Sequence, residues 1–339
     1  MNLGTPESTK TSDVRKYLRQ FLMDGRVIDI PALPRWMLVN LIIAPFRAPK
    51  SAKVYRKVWT ANGSPLKYYT LGIEGHVQKQ LGDNYVVRVA MRYQSPSVAS
   101  VLEMMLKNPL EEIIVVPMFP QYASATTGSV MEEVMRCLST YQTIPAVRFV
   151  DSFFNRADFI QAFAEKAKRH MVEKKYDHVL FSYHGLPERQ IRKGDCFNVC
   201  KLGTCCDTLT PENRLCYRGQ CFATSRLIAK AVGLAESEYT TCFQSRLGND
   251  PWIKPYTEDI IKELPGKAIY NVLVLSPSFV ADCLETTIEI GEEYKEVFEK
   301  AGGRHWQLVD SLNMDASWIE CLVGIVKDNE SHTQKCVEV

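Results

Sequence analysis

The stretch His178-Val179-Leu180-Phe181-Ser182-Tyr183-His184-Gly185-Leu186-Pro187 decides the fold. Its apolar run, His178–Phe181, lacks the polar alternation of a strand with one wet face, so it reads as a strand covered on both sides. Gly185 and Pro187 then break the chain into a turn, and His184 stands at the strand's carboxyl end. The same reading gives strands at Val86–Ala90, Ile113–Val116, Val147–Val150, Tyr239–Phe243, Asn271–Leu275 and His305–Val309. Amphipathic segments fall between them at Pro96–Lys107, Thr127–Leu138, Ala157–Glu173, Cys221–Val232, Ala281–Lys300 and Met314–Val326. Strands alternating with helices predict an α/β fold with parallel sheets whose ligands gather at the strands' carboxyl ends.

Two strand exits look alike. Ile113–Val116 runs into Pro117-Met118-Phe119, Leu273–Leu275 runs into Ser276-Pro277-Ser278-Phe279, and each then opens a helix. Two related α/β halves facing one cleft are therefore expected: residues 1–152, then 153–312, with a final helix at 313–326 packing back on the first half and a tail at 327–339. A length of 339 residues suits two such halves.

Composition narrows the function. A net charge of +2 supplies no field for nucleic acid. No charged leader precedes an apolar run, so a cytoplasmic protein is expected. Trp36–Phe46 is the most apolar stretch, but its 11 residues fall short of the about 20 that span a bilayer. It reads equally as a buried helix or as an apolar lip touching the inner face of the cytoplasmic membrane or a flat ligand. Six of the eleven cysteines (Cys196, Cys200, Cys205, Cys206, Cys216 and Cys221) fall within 26 residues, where their average spacing would put about one. In a reducing compartment such a cluster points to a site, or the remains of one, rather than to a disulfide framework.

Several residues have the chemistry of a site. His184 can accept a proton near neutral pH or bind a metal, or it can simply hold its turn. Glu285, Glu289 and Glu293 recur every four residues, stacking like charges along one helical stripe. That stripe is either a solvated acidic face or a path for a cation, held loosely by oxygen ligands. Arg92-Tyr93, Gln121-Tyr122 with Thr126-Thr127-Gly128-Ser129, and Gln244-Ser245-Arg246 with Asp250-Pro251-Trp252 all follow strands. They suit anion, carboxylate and flat-ring binding, and capping explains the hydroxyl-rich turn as well.

In order and spacing, Asn2-Leu3-Gly4-Thr5-Pro6, Tyr55 with Gly63-Ser64-Pro65, Met91-Arg92-Tyr93, Pro120-Gln121-Tyr122, Ser182-Tyr183-His184-Gly185-Leu186-Pro187, Gln244-Ser245-Arg246 and Asp282-Cys283-Leu284-Glu285-Thr286 resemble the ferrochelatases. The resemblance runs from residue 2 to about residue 326. It implies two flavodoxin-like, Rossmann-like domains with a porphyrin in the cleft between them. His184 would take the pyrrole protons, Glu285 would face it across the ring, and Glu289 and Glu293 would continue the path for Fe²⁺. Tyr55, Ser64, Arg92, Tyr93, Tyr122 and Trp252 match residues around the ring or its propionates. The implied reaction is insertion of Fe²⁺ into protoporphyrin, with coproporphyrin as the near alternative and a non-catalytic haem carrier as the alternative of another class.

The sequence departs from the family in two places. Relatives carry an apolar strand ahead of the Asn2-Leu3-Gly4 motif, whereas this sequence starts at Met1, so a strand missing from the start as given is expected. About 20 cysteine-rich residues also intervene between Gly194-Asp195 and Tyr217. Some bacterial relatives look similar there and carry a [2Fe–2S] cluster, which requires four thiolates. The pattern implies four of Cys200, Cys205, Cys206, Cys216 and Cys221, with Cys196 outside the set. Zinc is the main competitor, since Cys200-x₄-Cys205 and Cys216-x₄-Cys221 approach paired zinc hooks.

Overall fold

The computed structural model describes residues 1–248 and 250–331. The chain opens with α1 (Thr11–Leu22), α2 (Ala32–Met37), α3 (Ala44–Val58), α4 (Pro65–Leu81) and α5 (Val98–Met105). Strand β1 (Glu112–Val115), α6 (Ser129–Leu138), β2 (Ala146–Phe149), α7 (Ala157–Glu173), β3 (His178–His184) and α8 (Glu188–Lys193) follow. The remainder is α9 (Tyr217–Val232), β4 (Tyr239–Gln244), α10 (Thr257–Glu263), β5 (Asn271–Leu275), α11 (Lys295–Lys300), β6 (His305–Leu308) and α12 (Ala316–Asp328).

Both sheets are parallel. β1 pairs with β2, Ile113 opposite Val147, and the larger sheet runs in the order β4-β3-β5-β6. β3 is bonded along both edges, with Leu180 opposite Thr240 on one side and Val274 on the other. All of its residues but His184 are buried, which is why its sequence is apolar without alternation. Sheet order reverses where β3 meets β5, so the crevice at the carboxyl ends of those strands is the topological switch point. His184 ends β3 there.

The two look-alike exits also share a local geometry. Ser124–Gly128, leading into α6, and Glu285–Tyr294, leading into α11, are both π-helical, and so is Leu38–Ile43 between α2 and α3. The expected helix over Ala281–Lys300 is therefore a wide ten-residue π segment followed by a short α-helix. Such i→i+5 segments are rare and concentrate at functional sites.

Val86–Ala90 does not form the expected strand. Only its far end is paired: Asn2 donates to Ala90 O (3.1 Å), while Arg92 and Tyr93 donate to Asn2 O and Leu3 O. The N–H groups of Val87 and Val89 go instead to Gln78 Oε1 and Glu74 Oε2 of α4, at 2.8 and 2.7 Å. A ladder needs a neighbouring backbone along its length, and Met1–Leu3 provides one only beside Ala90–Tyr93. Gly4 turns away at φ +104°, where an added Cβ would stand 1.9 Å from Tyr93 O.

The main core lies between the larger sheet and helices α7, α9 and α12. Phe153 packs on Phe159 and Trp318 with ring centroids 5.4 and 5.7 Å apart. α12 packs against both α7 and α4. Of the expected tail 327–339, residues 332–339 lie outside the described residues. Within Trp36–Phe46, Val39 and Ala44 are buried, whereas Leu41 is 58% and Phe46 73% exposed. The segment is thus not a buried helix but a helical ridge with an exposed apolar face.

Candidate active site

His184 is held on three sides. Its Nδ1 lies 2.7 Å from Gly185 O. A carbonyl only accepts, so Nδ1 carries a proton, and Nε2 is the nitrogen that can accept when the imidazole is neutral. Tyr217, the first residue of α9, donates its hydroxyl to His184 O at 2.8 Å. Gly185 N donates to Gln244 O at 2.8 Å, and a Cβ at position 185 would stand 2.8 Å from that oxygen and 3.0 Å from the Trp252 ring. Only glycine permits this approach. The Trp252 ring lies 6.4 Å from the imidazole, and its backbone is tied to the same turn by a bridge to Pro187.

The carboxylates descend from this crevice along the π segment. Glu285 is half-buried, Glu289 half-buried and Glu293 exposed, so the line runs from the cleft to solvent. Glu289 accepts from Ser245 Oγ (2.6 Å), Tyr294 OH (3.1 Å) and Gln244 Nε2 (3.3 Å). Gln244, which pairs with His184 across the sheet, takes a hydrogen bond from Ser182 Oγ at 2.7 Å. Burial pushes the Glu289 carboxyl above its usual range and the Glu285 charge adds to this, against the pull of Ser245, His184 and Tyr294. A second negative charge beside the Glu285 carboxylate is disfavoured at Glu289, and a cation between the two would relieve it.

The first half meets this segment through α3, which contacts Glu285–Tyr294. Tyr55 of α3 packs edge-on to Tyr17 at 6.3 Å, and burial together with the Glu285 carboxylate pushes its phenol up. The remaining candidates are more scattered. Arg92 and Tyr93 turn inward: Arg92 Nη2 lies 2.7 Å and Tyr93 OH 2.8 Å from Asp24 Oδ2, with Ser129 Oγ donating to the same oxygen. Tyr93 has no exposed surface. Ser64 lines a cavity of about 410 Å³ with Trp59, Lys67 and Tyr68. Tyr122 faces another, of about 620 Å³, shared with Arg26, Gln190, Cys200, Cys205 and Cys216. His184, Glu285, Glu289, Tyr55 and Trp252 are thus gathered at one crevice, while Ser64 and Tyr122 open on flanking cavities.

Asp24, Tyr17, Tyr217 and Tyr294 carry no signal in the sequence. Tyr294 comes closest, standing five residues beyond Glu289, but that spacing meets on one face only in a π-helix.

In the insertion, Cys205 Sγ and Cys206 Sγ are 3.9 Å apart. Cys200 is close enough to Cys205, and Cys206 to Cys216, for each pair of thiols to perturb one another, so four free thiols are neighbours. Burial and the Cys205 thiol push Cys200 up to about 11. Cys221 is wholly buried in α9, and Cys196 is exposed. Among the described residues, no three His, Cys, Asp or Glu side chains converge on a point where they would hold a metal ion.

An imidazole at the switch point of a parallel α/β sheet, beside a line of carboxylates leading to solvent, is an arrangement suited to handling a proton and a cation together. A family profile described as Ferrochelatase matches residues 1–330. The chain is 44% identical over 328 residues to the ferrochelatase of Legionella pneumophila (strain Lens), covering 97% of each. It is 41% identical over 328 residues to that of Coxiella burnetii (strain Dugway 5J108-111), covering 96% of this chain and 92% of the other. Among solved structures, CbiX, the terminal enzyme for biosynthesis of siroheme in denitrifying bacteria, aligns with 77% of this chain and 91% of its own at 11% identity and a TM-score of 0.49. The chain belongs to the ferrochelatase family and is a lyase.

The Asp24 cluster makes a pH prediction. Burial alone would raise this carboxyl, but hydrogen bonds from Ser129, Arg26 N–H and Tyr93, with the Arg92 charge, hold it below the usual aspartate range. A depressed folded value contributes stability above about pH 4, lost as pH falls through the folded value. Asp24→Asn should lower stability at pH 7 by about 3 kcal/mol, since it leaves Arg92 unpaired. It should also flatten the acid limb below about pH 4, as followed by urea unfolding across pH.

Proposed function

We propose that this chain inserts Fe²⁺ into protoporphyrin, giving haem and two protons. The carrying observation is the Nδ1 contact to Gly185 O, which leaves His184 Nε2 free at the switch point beside the Glu285–Glu289 pair. A porphyrin must lose two N–H protons as the dication enters, so charge balances when both leave. His184 Nε2 accepts from the pyrrole nitrogens, and Glu285, Glu289 and Glu293 carry Fe²⁺ or the released protons between cleft and solvent. Tyr55 and Trp252 bound the ring, with Ser64 and Tyr122 toward its edges. Arg92 and Tyr93 brace the wall through Asp24. Residues 1–152 and 153–312 act as the two domains, joined by the helix over 313–326.

His184→Ala should abolish insertion, assayed anaerobically as loss of porphyrin fluorescence, while porphyrin binding stays within about twofold of wild type. Equal loss of both would make His184 structural. A wild-type protein that fills coproporphyrin but not protoporphyrin would move the substrate. One that binds porphyrin and inserts nothing would be a carrier.

The insertion is proposed to hold a [2Fe–2S] centre. Four neighbouring thiols match that group in kind and number, though they do not converge in the described geometry. Cys200, Cys205, Cys206 and Cys216 would be its ligands and Cys221, inside α9, the spare. When bound, the cluster would cross-link the insertion. Aerobically purified protein should be reddish-brown, with colour lost in Cys206→Ser and kept in Cys221→Ser. Colourless protein with one equivalent of zinc overturns the assignment.

The uncovered apolar face at Leu41, Ile42 and Phe46 is proposed to rest on the cytoplasmic membrane, where a water-insoluble porphyrin dissolves. Ile42→Ser with Phe46→Ser should reduce co-sedimentation with liposomes severalfold. Wild-type protein that never sediments removes the proposal.

A further inference from the structure

The base at the switch point is aimed by a residue on a different element. Tyr217 is buried, and its hydroxyl donates to His184 O at 2.8 Å. That carbonyl belongs to the last residue of β3, where the strand leaves the sheet and the Gly185 turn begins, so its position sets where the imidazole emerges. The first turns of α9 that carry Tyr217 are themselves fixed to both halves. Gln220, with no exposed surface, accepts from Tyr122 N at 2.7 Å and donates to Arg214 O at 2.6 Å. Thr224 Oγ1 accepts from Gln121 Nε2 and donates to Phe154 O, both at 3.1 Å. Gln220 and Thr224 each bond the Gln121–Tyr122 wall of the first half. A helix anchored in this way is a rigid support, and Tyr217 is its contact with the base. Cys216 stands immediately before it, at the helix N-cap.

We propose that Tyr217 is a positioning residue for metal insertion, its hydroxyl holding the His184 carbonyl so that the imidazole points at the porphyrin nitrogens. This rests on the reading of His184 as the proton acceptor. It also places the end of the Cys-rich segment one residue from the aiming contact, so the order of that segment bears on catalysis although no thiol touches the substrate.

Tyr217→Phe keeps the ring and removes the hydroxyl. In the full chain it should lower kcat about threefold to tenfold, the scale of one neutral hydrogen bond. KM for porphyrin and the iron content of the protein should stay at wild-type values. With ¹³C-labelled histidine, the His184 Cε1–H resonance, assigned among the six histidines by its absence from His184→Ala, should move in Tyr217→Phe. Tyr183→Phe is the matched control, because it removes a neighbouring buried phenol whose partner is Ser225 Oγ at 2.9 Å. It should leave the resonance in place. Unchanged kcat with an unmoved His184 resonance overturns the proposal, as does a change in KM and stability alone. Should Tyr217→Phe fail to fold, 3-fluorotyrosine incorporated at position 217 preserves shape and strengthens the donor. The His184 resonance should then shift, and no shift again overturns the proposal. A wild-type protein that inserts no iron would instead refute the functional reading, and the resonance test would still decide the Tyr217 contact.

Discussion

β3 is hydrogen-bonded along both edges and covered on both faces, and the rest of the site depends on that double burial. A buried strand must satisfy every backbone group within its ladders, so its register cannot slip without stranding polar groups. His184 is therefore delivered to one place, the point where the sheet order reverses. Because Leu180 is paired with both Thr240 and Val274, the exits of β4 and β5 are brought alongside it. Those exits supply Gln244 and the segment leading to Glu285. Three stretches distant in sequence meet because a single strand lies between two others.

The acidic segment shows what the crevice costs. Glu289 is partly buried beside Glu285, an arrangement that works against folding. Three donors, from Ser245, Tyr294 and Gln244, offset part of the penalty and keep the carboxylate oriented. The π-helical backbone belongs to the same compromise. It widens the turn so that Tyr294 reaches Glu289 while Glu285 stays at the cleft. Arg92 and Tyr93 illustrate the opposite choice, since their polar groups are engaged by Asp24 and stabilise the wall instead of contacting the cleft directly.

Strands buried on both faces were legible because short apolar runs bounded by turn residues and rich in β-branched side chains suit a covered strand better than a helix. Five of the seven expected strands match the observed ones to within a residue or two, and β3 extends three residues further into the site. Val86–Ala90 has the same composition yet makes no ladder. Strand formation is a pair property, and this stretch finds side chains of α4 where it would need a backbone. Among the cysteines, spacing could not separate Cys221 from the rest. Its burial within α9, set by the packing of Tyr217 and the core around it, is invisible in a spacing pattern.

From its sequence alone this protein was determined to be an α/β chain of alternating strands and helices, with His184 at a strand exit and a stripe of carboxylates after another. These follow from local periodicity and from the few residues that turn a chain sharply. Only the tertiary structure decided which ring nitrogen meets the Gly185 carbonyl, that Asp24 gathers Arg92, Tyr93 and Ser129, and that Tyr217 supports the His184 carbonyl. The Asp24 and Tyr217 contacts are hydrogen bonds between residues tens of positions apart, and the His184 ring is turned by the local path of the Gly185 backbone. Such bonds leave no period in the sequence, because the partners are chosen by which buried polar groups the packed core leaves facing one another.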